Sequence, residues 1–295
     1  MVRRSLLVLC GVGTLLSTAM AAEPHPPPAI LQLALWPTVQ LASPDRDVMG
    51  LRLIALHGKN QSLTGLDFAL GLAESEGSMD GLGVSGWLNV VNRRATGLQV
   101  AVAGNGSEGL YGCQVAGLGN DAGDTTIGIQ VASLVNAARV MTGVQASGVW
   151  NVAESVTGLQ LAGIDNSLKG MVFEGALPRV AGVQIAGLTN TVPGASEGNT
   201  DPQAEAQVAG AQISGLANIV EGKMTGLQAA GLSNTAEGNL YGVQLAALYN
   251  SARAVRGLQI GLINRCDDLR GVQIGLINIR SGSRFPFVPL LNFRF

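Results

Sequence analysis

Residues 97–105 read G-L-Q-V-A-V-A-G-N, residues 112–120 read G-C-Q-V-A-G-L-G-N, and residues 158–166 read G-L-Q-L-A-G-I-D-N. Copies of this phrase follow one another along the chain, and most of their opening glycines are 15 or 16 residues apart. These glycines are Gly50, Gly65, Gly81, Gly97, Gly112, Gly128, Gly143, Gly158, Gly182, Gly210, Gly226, Gly242, Gly257 and Gly271. A unit this short buries apolar surface only by stacking on its neighbours, so the pattern predicts a repetitive architecture.

Each copy has a fixed pattern, numbered here from the opening glycine as position 0. Apolar residues recur at +1, +3 and +6 and two residues before the glycine, at −2, whereas Gln recurs at +2 and Asn at +8. Side chains alternate along a strand, so +1 and +3 share a face and +6 has the opposite parity. Corners at the small residues +4 and +5, and at the glycine itself, would turn all four apolar positions to one interior. We therefore predict an all-β solenoid of about fourteen coils of 15–16 residues.

Stacked coils would place equivalent residues about 4.8 Å apart, so that recurring amides form ladders of hydrogen bonds. We expect the Asn row inside a turn, where it satisfies buried backbone groups, and the Gln row on an exposed flat face. An alternative is that Asn recurs because it tolerates a turn conformation. The predicted ladder residues are Gln99, Gln114, Gln130, Gln145 and Gln160, with Asn105, Asn120, Asn136, Asn151 and Asn166.

A second architecture, an antiparallel outer-membrane β-barrel, also fits part of the pattern. Strands of nine to eleven residues and a C-terminal Phe295 are compatible with a barrel. Gly and Ala, however, interrupt the rows that would face lipid, and the belts of aromatic residues typical of such barrels are missing. The last two copies lack one residue before their Asn, so a straight strand explains them as well as a coil does. Contact with a membrane would follow only from the barrel.

The pattern also divides the chain into segments. We predict a signal peptide at 1–22, a Pro-rich tether at 23–29, an N-terminal cap at 30–49, a repeat domain at 50–280 with insertions near 169–180 and 192–208, and a Phe-rich C-terminal cap at 281–295. Arg3 and Arg4 followed by a short apolar stretch are typical of an export signal. Insertions in repeat proteins gather on one face, which is often the binding face. The candidate partner-binding residues there are Phe173, Glu174, Glu197, Asp201 and Glu205.

Composition argues against several functions. The net charge of −2 gives no basic patch, so nucleic-acid binding is not predicted. No acid, base and nucleophile stand together around His57, so we predict a protein that is not an enzyme and has no cofactor or metal. Cys113 and Cys266 would lie eight coils apart, on the order of 40 Å, which predicts free thiols.

The closing copies, G-L-Q-I-G-L-I-N at 257–264 and G-V-Q-I-G-L-I-N at 271–278, with the final P-L-L-N-F, resemble a family of exported bacterial surface-repeat proteins. The stretch S-P-D-R-D-V-M-G-L-R-L-I-A-L-H-G-K-N at 43–60 is similar to the start of such proteins, and the resemblance covers residues 40–295. Most copies depart from it by an extra Ala before the second Gly. The resemblance implies a location in the periplasm, outer membrane or cell surface of a bacterium and no established activity. We therefore expect a structural or binding element that meets an envelope or extracellular partner, with an outer-membrane pore or anchor as the alternative.

Overall fold

The computed structural model describes residues 26–169, 177–194 and 205–295, and within these ranges the chain forms strands and no helix. The strands are β1 Ala29–Trp36, β2 Val39–Gln40, β3 Val48–Ile54, β4 His57–Asn60, β5 Leu63–Ala69, β6 Leu72–Ser75, β7 Met79–Ser85, β8 Leu88–Ala101, β9 Gly104–Ala116, β10 Gly119–Ala132, β11 Val135–Ser147, β12 Trp150–Ala153, β13 Ser155–Ala162, β14 Asp165–Leu168, β15 Arg179–Ala186, β16 Thr189–Val192, β17 Ala206–Ser214, β18 Ala217–Val220, β19 Gly222–Ala230, β20 Ser233–Ala246, β21 Tyr249–Ile260, β22 Ile263–Arg280 and β23 Phe287–Arg294.

One coil consists of a long strand around the opening glycine and a short strand around the Asn. In the coil of Gly158 these are β13 and β14, which join at a bend at Gly163 and Ile164. In several coils the short strand runs on into the long strand of the next coil, as in β8. The corner therefore lies at positions +5 and +6, at the glycine of the small pair that the sequence marks.

Neighbouring coils pair in parallel and in register. Gly158 lies opposite Gly182 and Gln160 opposite Gln184 in the pairing of β13 with β15. The same correspondence holds from Gly50 against Gly65 to Gly257 against Gly271. The prediction of a β-solenoid of about fourteen coils is confirmed.

The antiparallel outer-membrane barrel is the wrong alternative. Among the described strands, antiparallel pairs occur only at the two ends, between β1 and β2 and between β22 and β23. A barrel of that kind needs antiparallel pairing throughout. Here the repeats run in the same direction, so each copy returns to its starting edge before the next begins.

The two insertions leave the stack undisturbed. β15 follows β13 directly in the sheet and β17 follows β15, although their glycines are 24 and 28 residues apart in sequence. Of the candidate partner-binding residues, Phe173, Glu174, Glu197 and Asp201 lie outside the described residues. Glu205 is described, and its carboxylate lies 3.1 Å from the Arg253 guanidinium.

The predicted inward positions of −2 and of the Asn at +8 are confirmed, whereas the predictions that +1, +3 and +6 face the interior and that Gln at +2 faces outward are wrong. Positions −2, +2, +8 and +10 point inward, as Val156, Gln160, Asn166 and Leu168 do, and all four are buried. The apolar residues at +1, +3 and +6 point outward. The reason is that the opening glycine is not a corner: the strand continues through it, so −2 and +2 keep the same parity and face the same side.

The apolar core consists of two thin inner rows. One is the −2 row, which includes Met141, Met224 and Leu269, each 0% exposed, and the other is the +10 row, which includes Val192 and, at +9 of a copy that is one residue shorter, Cys266. Burying one such side chain contributes roughly 1.5–3 kcal/mol. The remaining inner positions are polar, so hydrogen bonds between coils must accompany this burial.

Candidate binding surface

The Gln row lies inside the solenoid, and the prediction that it occupies an exposed face is wrong. Its members are Gln99, Gln114, Gln130, Gln145, Gln160, Gln184, Gln212, Gln228, Gln244, Gln259 and Gln273, none of them more than 1% exposed. From Gln114 onward, each Nε2 donates to the Oε1 of the Gln one coil earlier, at 2.7–3.0 Å. Since every amide within the row has an identical neighbour on both sides, these buried amide groups have hydrogen-bond partners along the row.

The Asn row forms a second ladder, which runs in the opposite direction. Asn105 Nδ2 donates to Asn120 Oδ1 at 2.9 Å, and the series continues from Asn89 to Asn278 with 2.8–3.1 Å between partners. The second Nδ2 hydrogen of Asn105 goes to the Val115 carbonyl at 2.9 Å, which ties the corner to the next coil. Gln donors point to the N-terminal end and Asn donors to the C-terminal end, so the two rows of amide dipoles oppose each other.

A buried charge pair replaces glutamine in the first coils. Arg52 and Asp67 occupy position +2 of adjacent copies and are each 1% exposed. Arg52 Nε donates to Asp67 Oδ1 at 2.9 Å, and its other nitrogens bond Asp67 Oδ2, Asn60 Oδ1 and the Glu74 carbonyl. The third copy has Gly83 at this slot, next to the Met79 side chain, whose Sδ accepts from Gln99 Nε2 at 3.7 Å.

The other end of the Gln row is capped by the last strand. Asn292 on β23 is 6% exposed, and its Nδ2 donates to Gln273 Oε1 at 2.8 Å. Sequence reasoning missed Arg52, Asp67 and Asn292 as members of this row. A signal was present: opposite charges at the same slot of adjacent copies are expected where a buried position needs compensation.

Changing Gln160 to Glu should make stability depend on pH. Gln160 Nε2 donates to Gln145 Oε1 at 2.8 Å, and Gln160 Oε1 accepts from Gln184 at 2.7 Å. A protonated carboxyl group can keep both bonds, but an ionised one is buried beside an oxygen acceptor. The folded-state pKa of the introduced carboxyl group must therefore lie above its unfolded value of about 4.3. The folded state then binds more protons, and stability falls as pH rises above about 4.

The measurement is urea unfolding of the parent and the Gln160→Glu chain at pH 4 and pH 7. The difference in the free energy of unfolding between the two chains should be small at pH 4 and large at pH 7. Thr157→Glu, at an exposed position of the same coil, is the control and should show no widening. If the free energy of unfolding of the Gln160→Glu chain differed from that of the parent by the same amount at both pH values, the buried amide row would be contradicted.

The charged side chains near the N-terminal end pair with one another. His57 Nε2 lies 2.9 Å from Glu74 Oε2, and the Lys59 ammonium lies 3.3 Å from Glu74 and also contacts Glu76. The hydrogen bond to Glu76 raises the pKa of Lys59, and the same bond lowers the pKa of Glu76. Trp36 packs edge-on against His57 at 5.3 Å between ring centroids. Within the described ranges, no three His, Cys, Asp or Glu side chains form a metal-binding group.

The two cysteines that the structure describes, Cys113 and Cys266, are free thiols in different environments. Cys266 belongs to the inner +10 row, and burial raises its pKa to about 12. Cys113 occupies position +1 on the outside and is partly exposed, although burial also raises the pKa of its thiol. Cys266 is therefore a core residue, whereas Cys113 belongs to the outer surface.

The apolar residues at +1 and +3, which we call the outer rows, cover the exposed face of the long strands. Exposures are 43% for Ile129, 40% for Ile213 and 43% for Ile274, and the other members of these rows are half-buried or exposed. No charged residue occurs at either position in any copy. Beside them, position +6 adds an exposed edge that includes Leu118, Leu188 and Leu248. A face of this length that is apolar from coil to coil is the most distinctive surface of the molecule.

Each end of this face has a special feature. At the N-terminal end, the β1–β2 hairpin and the first coils border an open apolar hollow of about 900 Å³, which we call the N-terminal hollow. Its walls include Leu33, Leu35, Val39, Leu53, Phe68 and Val84. At the C-terminal end, β23 adds Leu291, Phe293 and Phe295, which are 51%, 60% and 95% exposed. Leu291 pairs with Ile274 and Phe293 with Val272, which places both on the outer-row face.

Comparison with known proteins returned no matching family model, curated protein or solved structure. Among the residues that the structure describes, no helix has the length and apolar character needed to cross a membrane. The strongest indication of function is therefore the surface itself.

Proposed function

We propose that this chain is an exported, non-enzymatic structural or binding element of a bacterial cell envelope, which presents one apolar face of a rigid β-solenoid to a partner. The observation that carries the proposal is the exposure of the outer rows in coil after coil, as at Ile129, Ile213 and Ile274. Monomeric soluble proteins rarely leave contiguous apolar patches larger than a few hundred Å² uncovered, and larger patches mark sites of interaction.

The polar interior supports a structural role. The Gln and Asn side chains serve as acceptors and donors for one another and hold each coil in register with the next. His57, the one described histidine, is paired with Glu74 on the surface. Repetition of the same contacts along the axis yields a stiff rod on the order of 65 Å long, at about 4.8 Å per coil.

The envelope location is supported by the sequence before the first strand. Arg3 and Arg4, the apolar stretch at 6–16 and the small residues Ala19, Ala21 and Ala22 have the order of an export signal. The resemblance of the closing repeats to exported bacterial surface-repeat proteins points to the same place.

Fractionation of a bacterial host that expresses the whole chain tests this function. We expect the chain in the envelope fraction, with an N-terminus created by cleavage after Ala21 or Ala22. A Leu7→Asp/Leu9→Asp variant, which breaks the apolar stretch, should stay uncleaved in the cytoplasm, and Leu7→Val/Leu9→Val should behave as the parent. An uncleaved parent chain in the cytoplasm would contradict the proposal.

A further inference from the structure

We propose that the outer-row face is covered by a second copy of this chain, packed face to face and turned end for end. This inference rests on the proposed function, because it names the partner of the same face.

The size of the face suits a dimer. About fourteen coils at ~4.8 Å and a width of roughly 12 Å across the outer rows give on the order of 800 Å² on each copy. A stable protein–protein interface of standard size buries about 800 Å² per partner. Sheets pack face to face about 10 Å apart through side chains of this kind.

The charge of the face favours a protein partner over an anionic lipid surface. The outer rows carry no charge, and the flanking position −1 is mostly Thr, Tyr or apolar, with Asp80, Arg256 and Arg270 as its charged members. Binding to anionic lipid calls for a belt of basic residues, which adds about 1 kcal/mol for each residue. An apolar sheet that lacks such a belt of basic residues is suited to pack against a second apolar sheet.

The relief of the face is self-complementary. Two shallow hollows of about 380 Å³ and 390 Å³ lie along it, at Ala146 and at Ala229. Ile185 and Ile213 form part of the rims of these hollows, and other branched side chains of the same rows, such as Ile129 and Ile274, are each 43% exposed and project from the face. A facing copy therefore supplies projections of the size that the hollows accept.

The two ends of the face complement each other only when the copies are turned end for end. A two-fold axis perpendicular to the long axis of the solenoid places the C-terminal end of one copy over the N-terminal end of the other. Phe293 and Phe295 then lie at the N-terminal hollow, with its walls of Leu33, Leu35 and Phe68. The arrangement fills two hollows and covers four exposed aromatic rings in one dimer.

Sedimentation velocity of the purified chain in detergent-free buffer tests the dimer. We expect a dimer at micromolar concentration. Ile185→Lys/Ile213→Lys, which puts charges in the middle of the outer rows, should raise the dissociation constant at least about 100-fold. Trp150→Lys is the control, because Trp150 is 50% exposed on the short-strand sheet and should leave the dimer intact.

Disulfide trapping tests the orientation. In a Cys113→Val background, Leu35→Cys/Phe295→Cys should form a cross-linked dimer on mild oxidation, and each single variant should not. Cross-linking of Leu35→Cys alone would show copies that run the same way and would overturn the end-for-end arrangement.

Two results would overturn the dimer itself. One is a parent chain that sediments as a monomer and floats with phosphatidylcholine vesicles, which would assign the face to lipid. The other is a parent chain that sediments as a monomer and does not bind the vesicles. Either result can occur with a correctly exported chain, so failure of the dimer is distinguishable from failure of the proposed function.

Discussion

Replacing Gly158 with alanine should destabilise the solenoid by about 4 kcal/mol or more, one of the largest effects available to a single substitution. Gly158 has a φ of +132°, and a Cβ added there would lie 2.1 Å from the Gly143 carbonyl oxygen of the preceding coil. The obstacle is backbone, so no side chain can move aside. The strained conformation adds its own cost for any residue that has a Cβ.

Gly106→Ala is the matched control. Gly106 lies in β9, its φ is not in the left-handed region, and an added Cβ would meet nothing within 4 Å. Alanine there should leave stability within about 1 kcal/mol of the parent. Because repeat arrays can unfold in segments, hydrogen exchange along the chain should accompany urea unfolding. Loss of protection centred on the Gly158 coil is expected, and parental stability of Gly158→Ala would refute the close stacking of the glycine row.

Changing Asp67 to Asn should cost about 3–5 kcal/mol, because it leaves the Arg52 guanidinium buried without a counter-charge. Both side chains are no more than 2% exposed, and the pair is bidentate. Asp80→Asn is the control, since Asp80 is an exposed carboxylate in the following coil, and it should change stability by less than about 0.5 kcal/mol. Urea midpoints at neutral pH report both values.

The paired change Arg52→Gln/Asp67→Gln should restore most of the lost stability. Gln fills the same slot in eleven other coils, and two adjacent Gln side chains can bond each other as Gln114 and Gln99 do at 2.8 Å. Replacing a buried ion pair with a well-packed neutral pair is often neutral or stabilising. If the double variant were as unstable as Asp67→Asn, the Arg52–Asp67 slot would not be equivalent to the Gln row.

The repeat predicted stacked coils because a 15–16-residue unit buries its apolar residues by packing on its neighbours, but it left an antiparallel barrel open as the alternative. Ladder residues such as Gln114 and Asn120 could also be named from sequence, since a recurring amide in a stack meets its own copy. The buried −2 and Asn rows were predicted, but the facing of the Gln row and of the apolar +1, +3 and +6 rows was predicted wrongly. Everything depended on whether the chain turns at the opening glycine, and a glycine such as Gly158 is equally compatible with a corner and with a strand.

The candidate binding surface, too, could be predicted only in part from the sequence. Its residues stand out in the sequence as regular apolar positions, but such regularity predicts burial, and here it marks an exposed face. The N-terminal hollow and the pairing of Phe293 with Val272 depend on how β1, β2 and β23 close the two ends, and these strands are not repeats. The loop residues Phe173, Glu174, Glu197 and Asp201 stay predictions.

The amino-acid sequence by itself determined the number of repeats and the chemistry of each row, because the same residue types recur at the same positions of each copy. Only the tertiary structure decided which rows face inward. Gln could be buried because neighbouring coils satisfy its amide, and leucine and isoleucine could be left outside because the glycine at position 0 keeps the strand straight. That choice, made by backbone geometry at Gly158 and its equivalents, created the apolar face on which the proposed function depends.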